Sequence, residues 1–260
     1  MILRRRAALN GAQLDQVDDR IIIQGIRTKA GKDQWSAVSL GSGVGSRATG
    51  KRRDSLDIEI AFTINEKSYR PANRAEVLDK VKKWACGGGV LTVNYKSGQQ
   101  ARVECVQFPE EGDAASRGTY TILFRAYGVP YWVETTPTTL SRTGVSEIES
   151  GANFAVNGSA KTPLEFTFKN TSGGTVDTLT ISTGLNTMAF TGLGLGNNET
   201  LTLDHDEKGL QRIRVGSVSK MACRTIESAD ELWVLPGSAS IYFEAGGSGN
   251  LSVYCYGRYA

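Results

Sequence analysis

From Leu56 to Ile64 every second position is a large apolar residue. Leu56, Ile58, Ile60, Phe62 and Ile64 fall on one side, and Asp57, Glu59 and Thr63 on the other. A period of two predicts a strand with one buried and one wetter face. Tyr120, Ile122, Phe124 and Ala126 alternate in the same way, and Arg20–Gly25 reads as a short strand. Val90–Tyr95 and Ala101–Gln107 flank the turn KSGQQ, which predicts a hairpin. Between them the period changes. Ala75, Leu78, Val81 and Trp84/Ala85 recur at helical spacing within Pro71–Ala85, which predicts a helix over 71–86. Pro71 suits a first turn, where a missing N–H costs nothing; alternatively Asn73 caps the helix with Glu76 three residues on. Lys80, Lys82 and Lys83 oppose the stripe near the end favoured by cations, and Gly87 supplies the stop. The Gly/Ser-rich and charged stretch from Ala30 to Gly50 reads as a long loop or an extended hairpin.

Residues 134–151 are rich in Thr and Ser and lack periodicity. They predict a boundary, with domains over 1–134 and 151–260 and a linker at 135–150. Beyond it every signal is β. Leu164/Phe166/Phe168, Leu179/Ile181, Met188/Phe190, Leu201/Leu203, Ile213/Val215, Ile241/Phe243 and Leu251/Val253/Cys255 alternate. Turn signals such as NTSGG, DHDEKG and AGGSG punctuate them about every ten residues, a spacing that suits a sandwich or jelly roll. The fold class expected is mainly β, with a helix-bearing domain first and a purely β domain second.

Composition narrows the function. Thirty glycines against six prolines fit a turn-rich β protein, and a net charge of +3 gives no global field to recruit nucleic acid. No apolar run reaches membrane-span length, and no apolar segment follows Arg4–Arg6, so neither a membrane anchor nor a signal peptide is expected. Cys86, Cys105, Cys223 and Cys255 form no C-x-x-C pair and His205 is the single histidine, which argues against zinc and for buried, inert thiols.

Three motifs fail their context tests. GSRATGK at 45–51 has a phosphate-loop outline, but Arg52 follows where a hydroxyl is needed, and a strand follows where a helix is needed. Gly192, Gly194 and Gly196 lie between strands and read as a loop or bulge. Asp204, His205, Asp206 and Glu207 read as a charged hairpin turn, since calcium needs more ligands at set spacing. Trp84 fits the helix stripe; Trp132 sits at the domain edge and Trp233 before a Pro–Gly turn. No cofactor or catalytic set is expected, and the chain does not read as an enzyme.

The order of segments resembles the distal tail protein (Dit) family of long-tailed phages and prophages, mostly of Gram-positive bacteria. The residues that carry the resemblance are RRDSLDIEIAFTI, the helix ending WACGGGVLTVNY, TILFRAYGVPYW, NGSAKTPLEFTF, ETLTLDHD, LWVLPGSASIYFEA and YCYGRYA, and the resemblance spans roughly residues 20–260. Residues 1–19 match poorly. The resemblance implies an N-terminal β-sandwich with one helix and a protruding hairpin, then a C-terminal galectin-like sandwich. It implies a virion protein of the tail tip, made in the host cytoplasm. Six copies would form a ring joining the tail tube to the tail-associated or adsorption proteins, with a channel through which DNA passes. The long basic loop makes Arg47, Lys51, Arg52 and Arg53 candidates for the subunit interface or the ring lumen, within a hairpin "belt" over Gly41–Arg53. The alternative is a carbohydrate-binding module contacting the host surface. The His-x-Asn-x-Arg pattern of galectin-type sugar sites does not occur around His205.

Overall fold

The structure is a computed structural model that describes residues 5–30, 33–39, 46–65, 71–109, 118–206 and 208–260. It is mainly β and antiparallel, and it divides into two units, Met1–Trp132 and Val133–Ala260.

In the first unit the strands are β1 (Ala7–Leu9), β2 (Ala12–Gln13), β3 (Ile21–Ala30), β4 (Asp33–Ser39), β5 (Ser46–Arg53), β6 (Leu56–Ile64), β7 (Gly89–Val93), β8 (Gln99–Gln107), β9 (Tyr120–Ala126) and the start of β10 (Trp132–Glu134). A four-residue helix α1 (Leu14–Val17) precedes β3, and α2 (Pro71–Ala85) lies between β6 and β7. The hydrogen-bonded path runs β2-β1-β7-β8-β9-β6-β3. Strand β8 turns the corner in this path. Its first half pairs with β7 through Ala101–Val103, and its second half pairs with β9 from Glu104 to Gln107, with a bulge between Cys105 and Gln107. A strand that changes sheets at a bend lets one chain path wrap a core on two sides. Leu56, Ile58, Ile60 and Phe62 of β6 and Ile122 and Phe124 of β9 are fully buried there.

Helix α2 packs differently from the sequence stripe. Arg74, Val77, Leu78, Val81 and Ala85 are buried, whereas Ala75 is exposed. Rotating the stripe by one residue swaps a small side chain for Arg74, whose guanidinium donates to the Tyr120 hydroxyl at 3.3 Å. Trp84 is half-buried: its indole N–H donates to the Ala12 carbonyl at 2.8 Å, and its ring meets Phe124 edge-on at 5.9 Å. The helix ends as Gly87 suggests, with Gly88 N–H donating to Ala85 O. Gly88 has φ +63°, and a Cβ there would lie 2.3 Å from Val103 O, so only glycine fits.

In the second unit β11 (Thr138–Val156), β12 (Thr162–Pro163), β13 (Glu165–Asn170), β14 (Leu179–Ser182), β15 (Thr187–Phe190), β16 (Thr200–His205), β17 (Gln211–Val215), β18 (Val218–Ser219), β19 (Trp233–Val234), β20 (Gly237–Cys255) and β21 (Arg258–Tyr259) follow in order. Strand β20 serves two sheet portions. Tyr242–Ala245 pairs with β14, and Gly249–Tyr254 pairs with β13. Glycines 246, 247 and 249 stand at the crossing. A Cβ on Gly249 would come within 2.4 Å of the Phe168 ring. Phe166 on β13 meets Phe190 on β15 edge-on at 6.4 Å, and Phe168 meets Phe243 at 5.2 Å, so the portions share one core. Apart from Val215, which is half-buried, the alternating apolar residues read from the sequence in this half are all buried.

The segment 135–150, expected as a linker, is instead largely strand β11, which pairs with β20 from Thr138↔Cys255 to Val156↔Gly237. Its periodicity is invisible for two reasons. It pairs on one side only and is mostly exposed as far as Ser150, so few positions need be apolar. Register shifts at Arg142/Val145, Val145/Glu147 and Ile148/Ala152 also reset the alternation.

Candidate assembly surface

The basic stretch forms the antiparallel pair β4–β5, a two-stranded sheet outside the main path of the first unit. Its register sets Val38 opposite Arg47, Trp35 opposite Lys51, Gln34 opposite Arg52 and Asp33 opposite Arg53, with a shift between Ser36 and Ala37. Of the two readings the sequence left open, loop or extended hairpin, the structure has the hairpin. Its strands carry Arg47, Lys51, Arg52 and Arg53 against Asp33 alone. Residues 41–45 of the belt stretch lie outside the described residues. Ser46–Lys51 of the phosphate-loop outline is strand β5, and strand β6 follows it where a phosphate loop needs a helix. At the hairpin base the Arg53 guanidinium sits 5.0 Å over the Tyr131 ring, a cation–π contact within its own unit. The four cations lie along one strand, and Arg53 is anchored at the base.

The wetter face of β3, β6, β9 and β8 carries a second pattern that sequence reasoning missed. Cα partners put Lys29 opposite Asp57, Asp57 opposite Arg125, and Arg125 opposite Glu104. Charge alternates across four strands. Arg125 donates to both oxygens of Asp57 at 2.5 and 2.8 Å, and Lys29 reaches Glu59 at 3.2 Å. The Arg125 hydrogen bonds hold the Asp57 carboxyl below its ordinary range. This row neutralises itself and leaves no surplus charge, unlike the hairpin. Only the pairing register, which no single strand encodes, could have revealed it.

Asp18 anchors a third cluster. It is 5% exposed and accepts from Arg20 Nε and NH2, both at 2.7 Å, and from Lys80 Nζ at 3.1 Å. Lys80 also meets Glu76 at 2.8 Å. The Arg20 bonds pull the Asp18 carboxyl far below its ordinary range. Lys80, which the sequence sets opposite the apolar stripe, is thus a tie between α2 and the loop before β3.

In the second unit the charged stretch at 204–207 is the β16–β17 hairpin, as expected, although Glu207 itself lies outside the described residues. The Asp206 carboxylate accepts from Lys208 N–H at 2.8 Å and Leu210 N–H at 2.9 Å, which shapes the turn. Asp204 accepts from Arg212 and Arg214. His205 Nδ1 lies 2.9 Å from Glu165 Oε1, which also accepts the His205 backbone N–H. Gly192 and Gly194 occupy a loop with positive φ. Trp132 is buried, and the Trp233 ring carries Lys161 at 4.6 Å and Arg258 at 5.7 Å. The thiols depart from the expectation of burial: Cys255 is buried, Cys105 and Cys223 are half-buried, and Cys86 is exposed just past the end of α2. Burial pushes Cys105 up to about 11 and Cys255 up to about 12. Among the described residues no group of three or more His, Cys, Asp or Glu could hold a metal, and no helix is long and apolar enough to cross a membrane.

No family model matches the chain. No curated protein matches it either. Solved structures do. The crystal structure of SPP1 Dit (gp 19.1), described as a paradigm of the hub adsorption apparatus in phages infecting Gram-positive bacteria, aligns with a TM-score of 0.65 at 12% identity, covering 96% of this chain and 98% of that one. The phage P2 baseplate in its activated conformation with Ca aligns at a TM-score of 0.45 and 9% identity, covering 97% of both chains. Over almost its whole length, this chain has the fold of the SPP1 Dit protein.

Proposed function

We propose that the protein is a structural hub of a phage tail tip, located in the virion and without enzymatic activity. Copies assemble through the first unit into a hexameric ring that joins the tail tube to tail-associated adsorption proteins and leaves a channel for DNA. The observation that carries this reading is the shared fold with SPP1 Dit along both chains nearly end to end. The hairpin adds a physical argument. A two-stranded sheet is marginal by itself in water, so β4–β5 is stabilised best by a surface it can lie on. In a closed ring each copy offers a neighbour a different face from the one it uses, and a projecting arm suits that geometry. Arg47, Lys51 and Arg52 are the cations assigned to that contact; Arg53 holds the hairpin base.

The test is light scattering of the full chain across a concentration series, with negative-stain images of the largest species. Rings with a central hole are expected. Replacing Arg47, Lys51 and Arg52 together with Ser should weaken assembly and flatten its dependence on salt. A chain that stays monomeric throughout, or a triple variant that assembles unchanged with the same salt dependence, overturns the reading or the hairpin assignment respectively.

A further inference from the structure

Two of the four cysteines stand on chain segments that the fold presses together. Cys105 lies on β8 at the edge of its bulge, directly opposite Phe124 on β9. Residues directly opposite on paired strands share a face, so the Cys105 thiol is on the side where the Phe124 ring is buried. The end of α2 covers that side, because the Trp84 ring meets Phe124 edge-on at 5.9 Å. Cys86 follows two residues later, its N–H still making a helical bond to Lys82 O at 2.9 Å. Gly87 and Gly88, both with positive φ, then turn the chain onto β8. There the two backbones touch: a Cβ on Gly88 would lie 2.9 Å from the Cα of Glu104, the residue before Cys105. The pairing Gly89↔Val103 carries the contact on into the sheet. Burial pushes the Cys105 thiol up to about 11, and charge on Cys86 adds to the rise, so the two sulfurs sense each other. Cys223 and Cys255 belong to the second unit.

The two thiols differ in access. Cys86 is exposed and Cys105 half-buried. An exposed thiol meets a dissolved oxidant first, and a covered neighbour resolves what forms. We propose that Cys86 and Cys105 are a redox pair, joined by a disulfide when the protein meets a small disulfide oxidant such as oxidised glutathione. The Cys86 thiolate attacks one glutathione sulfur; the glutathione S–S bond breaks, and the first glutathione leaves with the proton that Cys86 gave up. The Cys105 thiolate then attacks the Cys86 sulfur, and the second glutathione leaves with the proton of Cys105. Two cysteine sulfurs are oxidised and one glutathione disulfide is reduced to two thiols, so electrons and protons balance. The bond closes the loop that runs from the end of α2 through β7 to β8. It fixes the helix to the strand where the sheet path of the first unit turns its corner. Thiols stay reduced in a cytoplasm, whereas disulfides persist outside the cell. A tail-hub protein made in the host cytoplasm and released with the virion acquires the bond after lysis. That timing rests on the tail-hub reading; the bond itself does not.

The test is mass spectrometry of the full chain, purified under reductant and then held in oxidised glutathione. A monomer lighter by two hydrogens is expected. After denaturation, alkylation and proteolysis, the Cys86 and Cys105 peptides should be joined, with Cys223 and Cys255 alkylated. In calorimetry the transition of the first unit should rise by roughly 5–10 °C and fall back when reductant is added, as expected of a loop of this length closed covalently. Cys86→Ser, at an exposed position, should leave the reduced melting temperature unchanged and abolish both the bond and the rise. Cys105→Ser should stop the reaction with glutathione held on Cys86; should that variant fail to fold, Cys86→Ser decides alone. Unreacted thiols in the wild type overturn the proposal. So do glutathione retained on wild-type Cys86, a Cys86–Cys86 link between two copies, or a rise that survives Cys86→Ser. None of these outcomes bears on whether rings form, so the two readings fail separately.

Discussion

Replacing Asp18 with Asn tests whether the first unit depends on its Asp18–Arg20–Lys80 cluster. The carboxylate is 5% exposed and accepts two guanidinium bonds at 2.7 Å, the Arg20 backbone N–H at 3.1 Å and Lys80 at 3.1 Å. An amide keeps the shape but has one acceptor oxygen and no charge, so the bidentate pair is lost. Truncating one partner of a buried ion pair costs about 3–5 kcal/mol. Arg20 is 28% exposed and can regain water, which moves the expected loss to roughly 2–3 kcal/mol. For a unit of this size that lowers the melting temperature by roughly 10 °C. Scanning calorimetry of the full chain is the assay, and the shift should fall on the transition of the first unit alone. The pH dependence supplies a second check. The folded-state value of Asp18 is depressed, so its contribution is complete above the unfolded value of about 3.9 and is lost as pH falls below it. Wild type and variant should differ most near neutral pH and converge as the medium becomes strongly acidic. A loss under about 0.5 kcal/mol at neutral pH, or a gap independent of pH, would refute the reasoning.

Other consequences concern the second unit. Gly249→Ala drives a Cβ against the Phe168 ring and Lys169 O, so it should lower the second transition by about 1–3 kcal/mol in urea titrations. Phe166→Ala removes a fully buried ring and its edge contact with Phe190; about 3–5 kcal/mol should be lost, read in the same titration. Glu147 stands directly opposite Glu244 and beside Glu149, whose charge raises its carboxyl above the ordinary range. Glu147→Gln should therefore raise the melting temperature at neutral pH, with the gain shrinking as acid neutralises the cluster; a fall at neutral pH would contradict the repulsion.

How much of this was legible beforehand follows from where each signal resides. Strands β6, β9 and β13 bury one face completely, and that demand writes a period of two into the residues themselves. The hairpins around 94–99 and 206–210 announced themselves through turn residues for the same local reason. Helix α2 was legible as an element but not in its rotation, because Arg74 is buried through a hydroxyl on β9 that lies far away in sequence. Strand β11 was hidden, since an edge strand with bulges has little apolar alternation to show. The four basic residues at 47–53 could be named from composition, yet only folding fixed them on a paired hairpin and placed Arg53 on Tyr131. The charge row Lys29–Asp57–Arg125–Glu104 exists only in pairing register, where residues distant along the chain become neighbours. The sequence by itself determined the class of fold and its elements, because burial acts on each strand separately. The tertiary structure decided which polar groups are satisfied and which are left over, because a hydrogen bond needs two partners and the chain names only one of them at a time.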